Sequence, residues 1–234
     1  MRSKTATPAE ATTLTAFGGQ IQGVRQQQED AWAIERLDDG ALLALVADGL
    51  GGHPHGERAS VEAVNEFVRV FMEQRATGSA GPTRWIQKAV VDADRHLHAL
   101  QRQEPELRGM ATTIVAAYIG GGKLWAASVG DSYLLVLRNN QLLRLNELHE
   151  QDGGITSTLG FHLTQVELAD EKPVEPGDRY LLASDGIITL QDVEARDVLA
   201  EAKDADSAVK TLLDRVEAKD HPSQDNTTAV VIFT

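Results

Sequence analysis

The sequence predicts an α+β fold in which sheets pack together and helices lie outside them. Three observations carry this. Short apolar runs punctuated by turn residues come first. Two long amphipathic helical stretches follow. A second series of strands then leads to closing helices and a last strand. No internal stretch has the composition of a linker and none repeats, so residues 13–234 are expected to form one domain behind a loose, small and polar arm at 1–12.

Each element has a local reason. Residues 31–37 and 41–47 read as a hairpin turned at Asp38-Asp39-Gly40. The unbroken run Leu42-Leu43-Ala44-Leu45-Val46 predicts that its second strand is buried on both faces. Between 56 and 75, Ala59, Ala63, Val64, Phe67, Val68 and Phe71 recur at helical spacing. A second helix starts near Pro82, a favourable first-turn residue, with Ile86, Ala89, Val90, Ala93 and Leu97 on one stripe. The short loop between them predicts an antiparallel pair. Strands at 112–119, 123–129, 132–138 and 141–145, separated by glycines and by Asn139-Asn140, predict a meander of hairpins. Strands at 164–168 and 179–184, helices at 191–200 and 207–219, and a strand at 227–233 complete the chain.

Composition narrows the function. The chain has 234 residues and a formal charge of −13. A net anion without a basic stripe is repelled by nucleic-acid phosphates and by anionic membranes. The absence of cysteine removes disulfides, thiol nucleophiles and Cys-based zinc sites. No apolar run approaches the ~20 residues that span a bilayer, and no apolar segment follows Met1-Arg2-Ser3-Lys4-Thr5. The expectation is a soluble protein of the cytoplasm.

Several acids stand at strand ends beside glycine: Glu29-Asp30, Asp48-Gly49, Gly130-Asp131, Asp185-Gly186 and Asp225-Asn226. A lone Asp-Gly is ordinarily a turn. Here Leu45-Val46-Ala47-Asp48 and Leu181-Leu182-Ala183-Ser184-Asp185 each deliver a carboxylate from a buried strand. Converging carboxylates repel unless a cation lies between them, and all-oxygen ligands favour hard ions such as Mg²⁺ or Mn²⁺.

These blocks resemble the type-2C metal-dependent Ser/Thr protein phosphatases, the PPM family, in their bacterial form. The match runs through Gly23-Val24-Arg25-Gln26-Gln27-Gln28-Glu29-Asp30, Val46-Ala47-Asp48-Gly49-Leu50-Gly51-Gly52-His53 and Gly56-Glu57-Arg58-Ala59-Ser60. It continues through Met110-Ala111-Thr112-Thr113, Val129-Gly130-Asp131-Ser132, Ala183-Ser184-Asp185-Gly186 and Asp225-Asn226-Thr227, in family order. The resemblance implies a four-layer α-β-β-α sandwich: two central, mostly antiparallel sheets flanked by antiparallel helix pairs, with two metal ions at one end. Asp48 would bridge both ions, the Gly49 carbonyl would help hold one, and Glu29 would serve the second. Asp185 and Asp225 would complete the first ion's shell, with Asp30 supporting from behind. Arg25 would contact the substrate phosphate. A hydroxide shared by the two ions would attack phosphorus in line, with no phosphoenzyme.

The sequence also departs from the family. Gln28 stands where Asn is frequent, and Ala111 where Gly is common. Glu106 lies where bacterial relatives tend to carry an Asp for a third, weaker ion, and can be read as that ligand or as a loop acid. Tyr133 replaces an Arg after Gly-Asp-Ser, which points to a structural role for Asp131. Leu50 stands where eukaryotic members carry His, so the general acid is unassigned, with His53 and His55 as weak candidates. The flap, tens of residues in the family, shrinks to 148–160 and predicts an open site. Two readings follow. One is an active phosphatase acting on phosphoserine and phosphothreonine proteins, partnered with a bacterial Ser/Thr kinase or its targets. The alternative is a non-catalytic phosphoprotein-binding scaffold. The complete set Glu29, Asp30, Asp48, Asp185 and Asp225 favours the first.

Overall fold

The computed structural model describes residues 13–234 except 52, 54 and 79; the expected arm at 1–12 lies outside the described residues. The chain runs β1 (Thr15–Ile21), β2 (Asp30–Arg36), β3 (Leu42–Asp48), α1 (Gly56–Thr77), α2 (Pro82–Gln103), β4 (Ile114–Gly120), β5 (Lys123–Val129), β6 (Tyr133–Arg138) and β7 (Gln141–Arg144). It continues through the short hairpin β8 (Glu150–Gln151) and β9 (Gly154–Ile155), then β10 (Glu167–Pro173), β11 (Arg179–Ala183), α3 (Asp192–Glu201), α4 (Ala205–Ala218) and β12 (Thr227–Phe233).

Two five-stranded sheets form the centre, the first in the order β10-β5-β4-β3-β2 and the second in the order β1-β12-β11-β6-β7. Every pairing in them is antiparallel. The alternation along β3 explains the layering. Leu43, Leu45 and Ala47 point to α1 and α2, where they meet Phe67, Phe71 and Ile86. Leu42, Ala44 and Val46 point the other way and pack between the sheets with Leu134, Tyr180, Leu182, Val230 and Ile232. The opposite face of the second sheet, through Leu181, Ala183 and Val231, buries Val198, Val209 and Leu212 of α3 and α4. The result is the expected α-β-β-α sandwich, with β3 covered on both faces.

The expected meander over 112–145 is broken in the middle. β4 pairs with β5 and β6 with β7, but β5 and β6 lie in different sheets. The chain crosses between them at Gly130, whose φ is 97° and whose missing Cβ leaves room for the Thr113 side chain. This crossing carries Asp131 to the end of the sandwich. The strand expected at 164–168 lies later, at Glu167–Pro173, pairing with β5 across a bulge between Ala169 and Lys172.

Candidate active site

The site grows from the end of β3. Asp48 and Asp30 are direct neighbours across the β2–β3 ladder. The Thr112-Thr113 pair holds the Asp48 backbone. Thr112 Oγ1 and the Thr113 N–H both donate to its carbonyl at 2.8 Å, and its N–H donates to Thr113 Oγ1 at 3.0 Å. Thr113 Oγ1 also meets Ser132 Oγ at 2.7 Å, linking the strand end to the Gly130 crossing.

The turn after Asp48 leaves no room for a side chain. A Cβ on Gly49 would stand 2.3 Å from the Gly56 carbonyl oxygen and 2.6 Å from that of Glu29. The Gly49 N–H donates to the Glu29 carbonyl at 3.1 Å, and Ser60 Oγ donates to the same oxygen at 2.6 Å. Asn226 secures the other side of this segment. Its Oδ1 accepts from the Glu29 N–H at 2.8 Å, and its Nδ2 donates to the Gln22 and Gln27 carbonyls. Gln28 is more than a soft substitution: Oε1 accepts from the Asp30 N–H at 2.9 Å and Nε2 donates to the Ile21 carbonyl at 3.0 Å. The sequence assigned no such role to either residue; that of Asn226 depends on backbone groups brought in by folding.

The second sheet contributes Asp185, which opens a 3₁₀ turn (Asp185–Thr189) after β11, and Asp225, just before β12. Asp30 is buried and joins the two sheets: Ser184 Oγ and Thr228 Oγ1 donate to its Oδ2 at 2.8 and 2.7 Å. Asp30 Oδ1 and Asp185 Oδ1 are buried without a hydrogen-bond partner.

The electrostatics are those of crowded anions. Burial first, then the charges of Asp30, Asp185, Asp131 and Asp225, push the Asp48 carboxyl well above its usual range. Burial raises Asp30 to about 6, against the hydrogen bonds from Thr228 and Ser184. Asp131 rises to about 6 through burial and the Asp185 charge. Asp185 is raised by burial and by Asp225, and Glu29 by burial and by Glu57.

Asp131, given a structural role by the sequence, lies within electrostatic reach of Asp185 and Asp48. Glu106, read from the sequence either as a third ion's ligand or as a loop acid, is exposed on the turn Pro105–Leu107 after α2. Arg25 reaches the cluster, but its guanidinium donates to the Asp225 carboxylate. His53 is tied away by a 2.8 Å bond between Nδ1 and the Gly109 carbonyl and lies edge-on to Phe161. His55, in the left-handed region at the start of α1, faces Glu57 at 3.6 Å. The short flap folds on itself as β8 and β9. Its base, His149, donates its N–H to the Gly130 carbonyl at 2.9 Å and accepts the Gly130 N–H on Nδ1 at 3.2 Å.

Comparison with known proteins agrees with this arrangement. The family described as protein phosphatase 2C matches residues 20–227. The chain belongs to the protein phosphatase 2C family. Among its relatives, the serine/threonine phosphatase stp of Listeria monocytogenes is 26% identical over 231 residues, covering 89% of this chain and 91% of that protein. The crystal structure of the Mycobacterium tuberculosis serine/threonine phosphatase PstP/Ppp superposes with a TM-score of 0.81 at 25% identity, covering 94% of this chain and 98% of that one. A PstP catalytic domain in complex with two manganese ions gives a TM-score of 0.80 at 25% identity, with 94% and 97% covered.

The chemistry of this 2C phosphatase cluster fits divalent ions. Its donors are carboxylates and a backbone carbonyl, two buried oxygens lack partners, and the raised carboxyls mark a deficit of positive charge. Among the described residues no three acidic or histidine side chains are gathered into a closed ligand set. Asp225 is turned to Arg25, and Asp30 to Ser184 and Thr228.

Proposed function

We propose that residues 13–234 act as one catalytic domain that hydrolyses phosphoserine and phosphothreonine on proteins with two divalent ions, Mn²⁺ or Mg²⁺. Glu29, Asp48, the Gly49 carbonyl, Asp185 and Asp225 would hold them. The observation that supports this most is the convergence of Asp48, Asp131 and Asp185 at one end of the sandwich, with their carboxyls pushed upward by burial and mutual charge. When bound, the ions supply water acidified enough to attack phosphorus and positive charge to offset that of the phosphate.

The chain's own groups do the rest. Asp30 holds Ser184 and Thr228 and so keeps the carboxylates of the two sheets in register. Thr112 and Thr113 fix the Asp48 backbone. Arg25 is a cation paired with Asp225, and exchanging the Asp225 carboxylate for a phosphate oxygen keeps its charge paired. With no cysteine in the chain, water rather than a thiol is the nucleophile. The substrates are phosphoproteins made by a Ser/Thr kinase, met in the cytoplasm; no helix among the described residues is long and apolar enough to cross a membrane.

The test is hydrolysis of p-nitrophenyl phosphate with Mn²⁺, with EDTA, and by Asp48→Asn with Mn²⁺. Turnover is expected in the first case alone. Turnover that persists in EDTA, or is absent with Mn²⁺, overturns the reading.

A further inference from the structure

Ile188 is the most exposed large apolar side chain among the described residues, at 64%. A single exposed isoleucine needs no explanation. This one is held out on a fixed support. It lies in the 3₁₀ turn that begins at Asp185 and is closed by the Ile187 N–H to the Ser184 carbonyl and the Leu190 N–H to the Ile187 carbonyl. Gln224 braces the same turn: its Nε2 donates to the Gly186 carbonyl at 3.1 Å, and Thr189 Oγ1 donates to its Oε1 at 2.6 Å.

Ile188 forms the ridge between two grooves. On one side is the polar cleft, about 590 Å³, that contains Asp185 and Asp225. On the other is a groove of about 250 Å³ floored by Tyr133, Leu135, Leu142, Ile187 and Leu190. Arg144 and Asp192 stand at its rim, and neither forms an ion pair within the described residues. The groove runs back to the reacting end of the sandwich, because Tyr133 is two residues from Asp131 and feels the charges of Glu150, Asp131 and Asp185. Its outer wall is β7, the last strand of its sheet, so no strand covers that side.

An apolar floor with a polar rim, joined to a catalytic cleft by a rigid ridge, is the anatomy of a side-chain subsite. We infer that this groove is a specificity subsite that receives an apolar side chain of the phosphoprotein substrate, close in sequence to the phosphorylated residue, with Ile188 and Leu142 as its determinants. The inference rests on the reading of the neighbouring cleft as the phosphatase site. The occupant is the substrate polypeptide, because Ile188 lines both this groove and the cleft that contains Asp185 and Asp225. The short flap leaves this side of the molecule to make contacts with the peptide.

The experiment uses the full chain with Mn²⁺. Phosphothreonine peptides carry a single Leu, moved through the positions on either side, in an otherwise Ser- and Gly-based sequence. Wild type is expected to favour the best-placed Leu about tenfold in kcat/KM over the peptide without Leu, chiefly through KM. Leu142 lines the groove and not the cleft, so Leu142→Ser should abolish that preference while hydrolysing p-nitrophenyl phosphate within about twofold of wild type. Ile188→Ser should reduce the preference in the same way. A wild type indifferent to every Leu position, or a Leu142→Ser variant that keeps the preference, overturns the inference alone. A wild type that turns over no substrate overturns the phosphatase reading, and the inference with it.

Discussion

Arg25 and Asp225, 200 residues apart in sequence, are joined by a charge-assisted hydrogen bond across the mouth of the cluster. One was expected to bind phosphate and the other a metal ion. Among so many carboxylates the guanidinium is the cation within reach, and Asp225 is the acid it can meet at the rim.

Arg25→Ala separates the two roles. Hydrogen bonds to charged groups contribute about 1.5–3 kcal/mol, so kcat/KM on a phosphopeptide should fall about tenfold to a hundredfold. Mn²⁺ affinity measured by calorimetry should be no weaker than in wild type, because Asp225 loses a competitor. Asp225→Asn should weaken Mn²⁺ binding instead.

Asp48→Asn should stabilise the metal-free protein while removing activity. Holding Asp48 charged at neutral pH costs stability, since burial and four neighbouring carboxylates raise its carboxyl above the usual range. Relief of about 1 kcal/mol corresponds to a Tm about 2–4 °C higher in a chain of this size. The rise in Tm on adding Mn²⁺ should shrink, and turnover should fall by about 10³ or more.

Gly49→Ala tests the tight turn. The added Cβ would meet backbone oxygens at 2.3 and 2.6 Å, and backbone does not yield as a side-chain tip would. A loss of about 1–3 kcal/mol in urea unfolding is expected, together with weaker Mn²⁺ binding, as the Gly49 carbonyl moves. Gly40→Ala, where nothing lies near the new Cβ, should leave Mn²⁺ binding unchanged.

Asp178 sets part of the acid limit, far from the cluster. Its side chain is 1% exposed and accepts from Arg138 Nε at 2.8 Å and Nη2 at 2.6 Å, from Tyr180 Oη at 2.8 Å, and from the Glu175 N–H. Burial opposes ionisation, but these bonds outweigh it and hold the carboxyl below its usual value. A depressed folded value means that its contribution is complete above the unfolded pKa of about 4 and is lost as pH falls through the folded one. Asp178→Asn should cost about 3–5 kcal/mol at pH 7, by leaving Arg138 without its partner. Its urea midpoint should change less than that of wild type between pH 5 and pH 2.5.

Much of the fold was legible locally. The apolar run 42–46 pointed to a strand covered on both faces, and the stripes from Ala59 to Phe71 and from Ile86 to Leu97 pointed to the paired helices that cover it. The carboxylates at the ends of β3 and β11 and before β12 were legible as a cluster, because a buried strand that ends in Asp-Gly must present its acid at the sheet's edge. The two readings of Glu106 could not be separated locally, because its place in the order of blocks says nothing of distance; the turn Pro105–Leu107 leaves it exposed. The part played by Asn226 could not be read locally, because its partners are backbone groups up to 204 residues away.

The sequence by itself determined most of the helices and strands, the apolar stripes that line the core, and the strand ends that carry Asp48 and Asp185. Those features follow from side-chain periodicity and turn chemistry, which act over a few residues. Only the tertiary structure decided that the chain leaves one sheet for the other at Gly130 and brings Asp131 to the cluster. It alone decided that Arg25 is held by Asp225, and that Ile188 stands between two grooves. Each of these depends on how two sheets are stacked, and stacking is fixed by burial of whole faces, which no local pattern records.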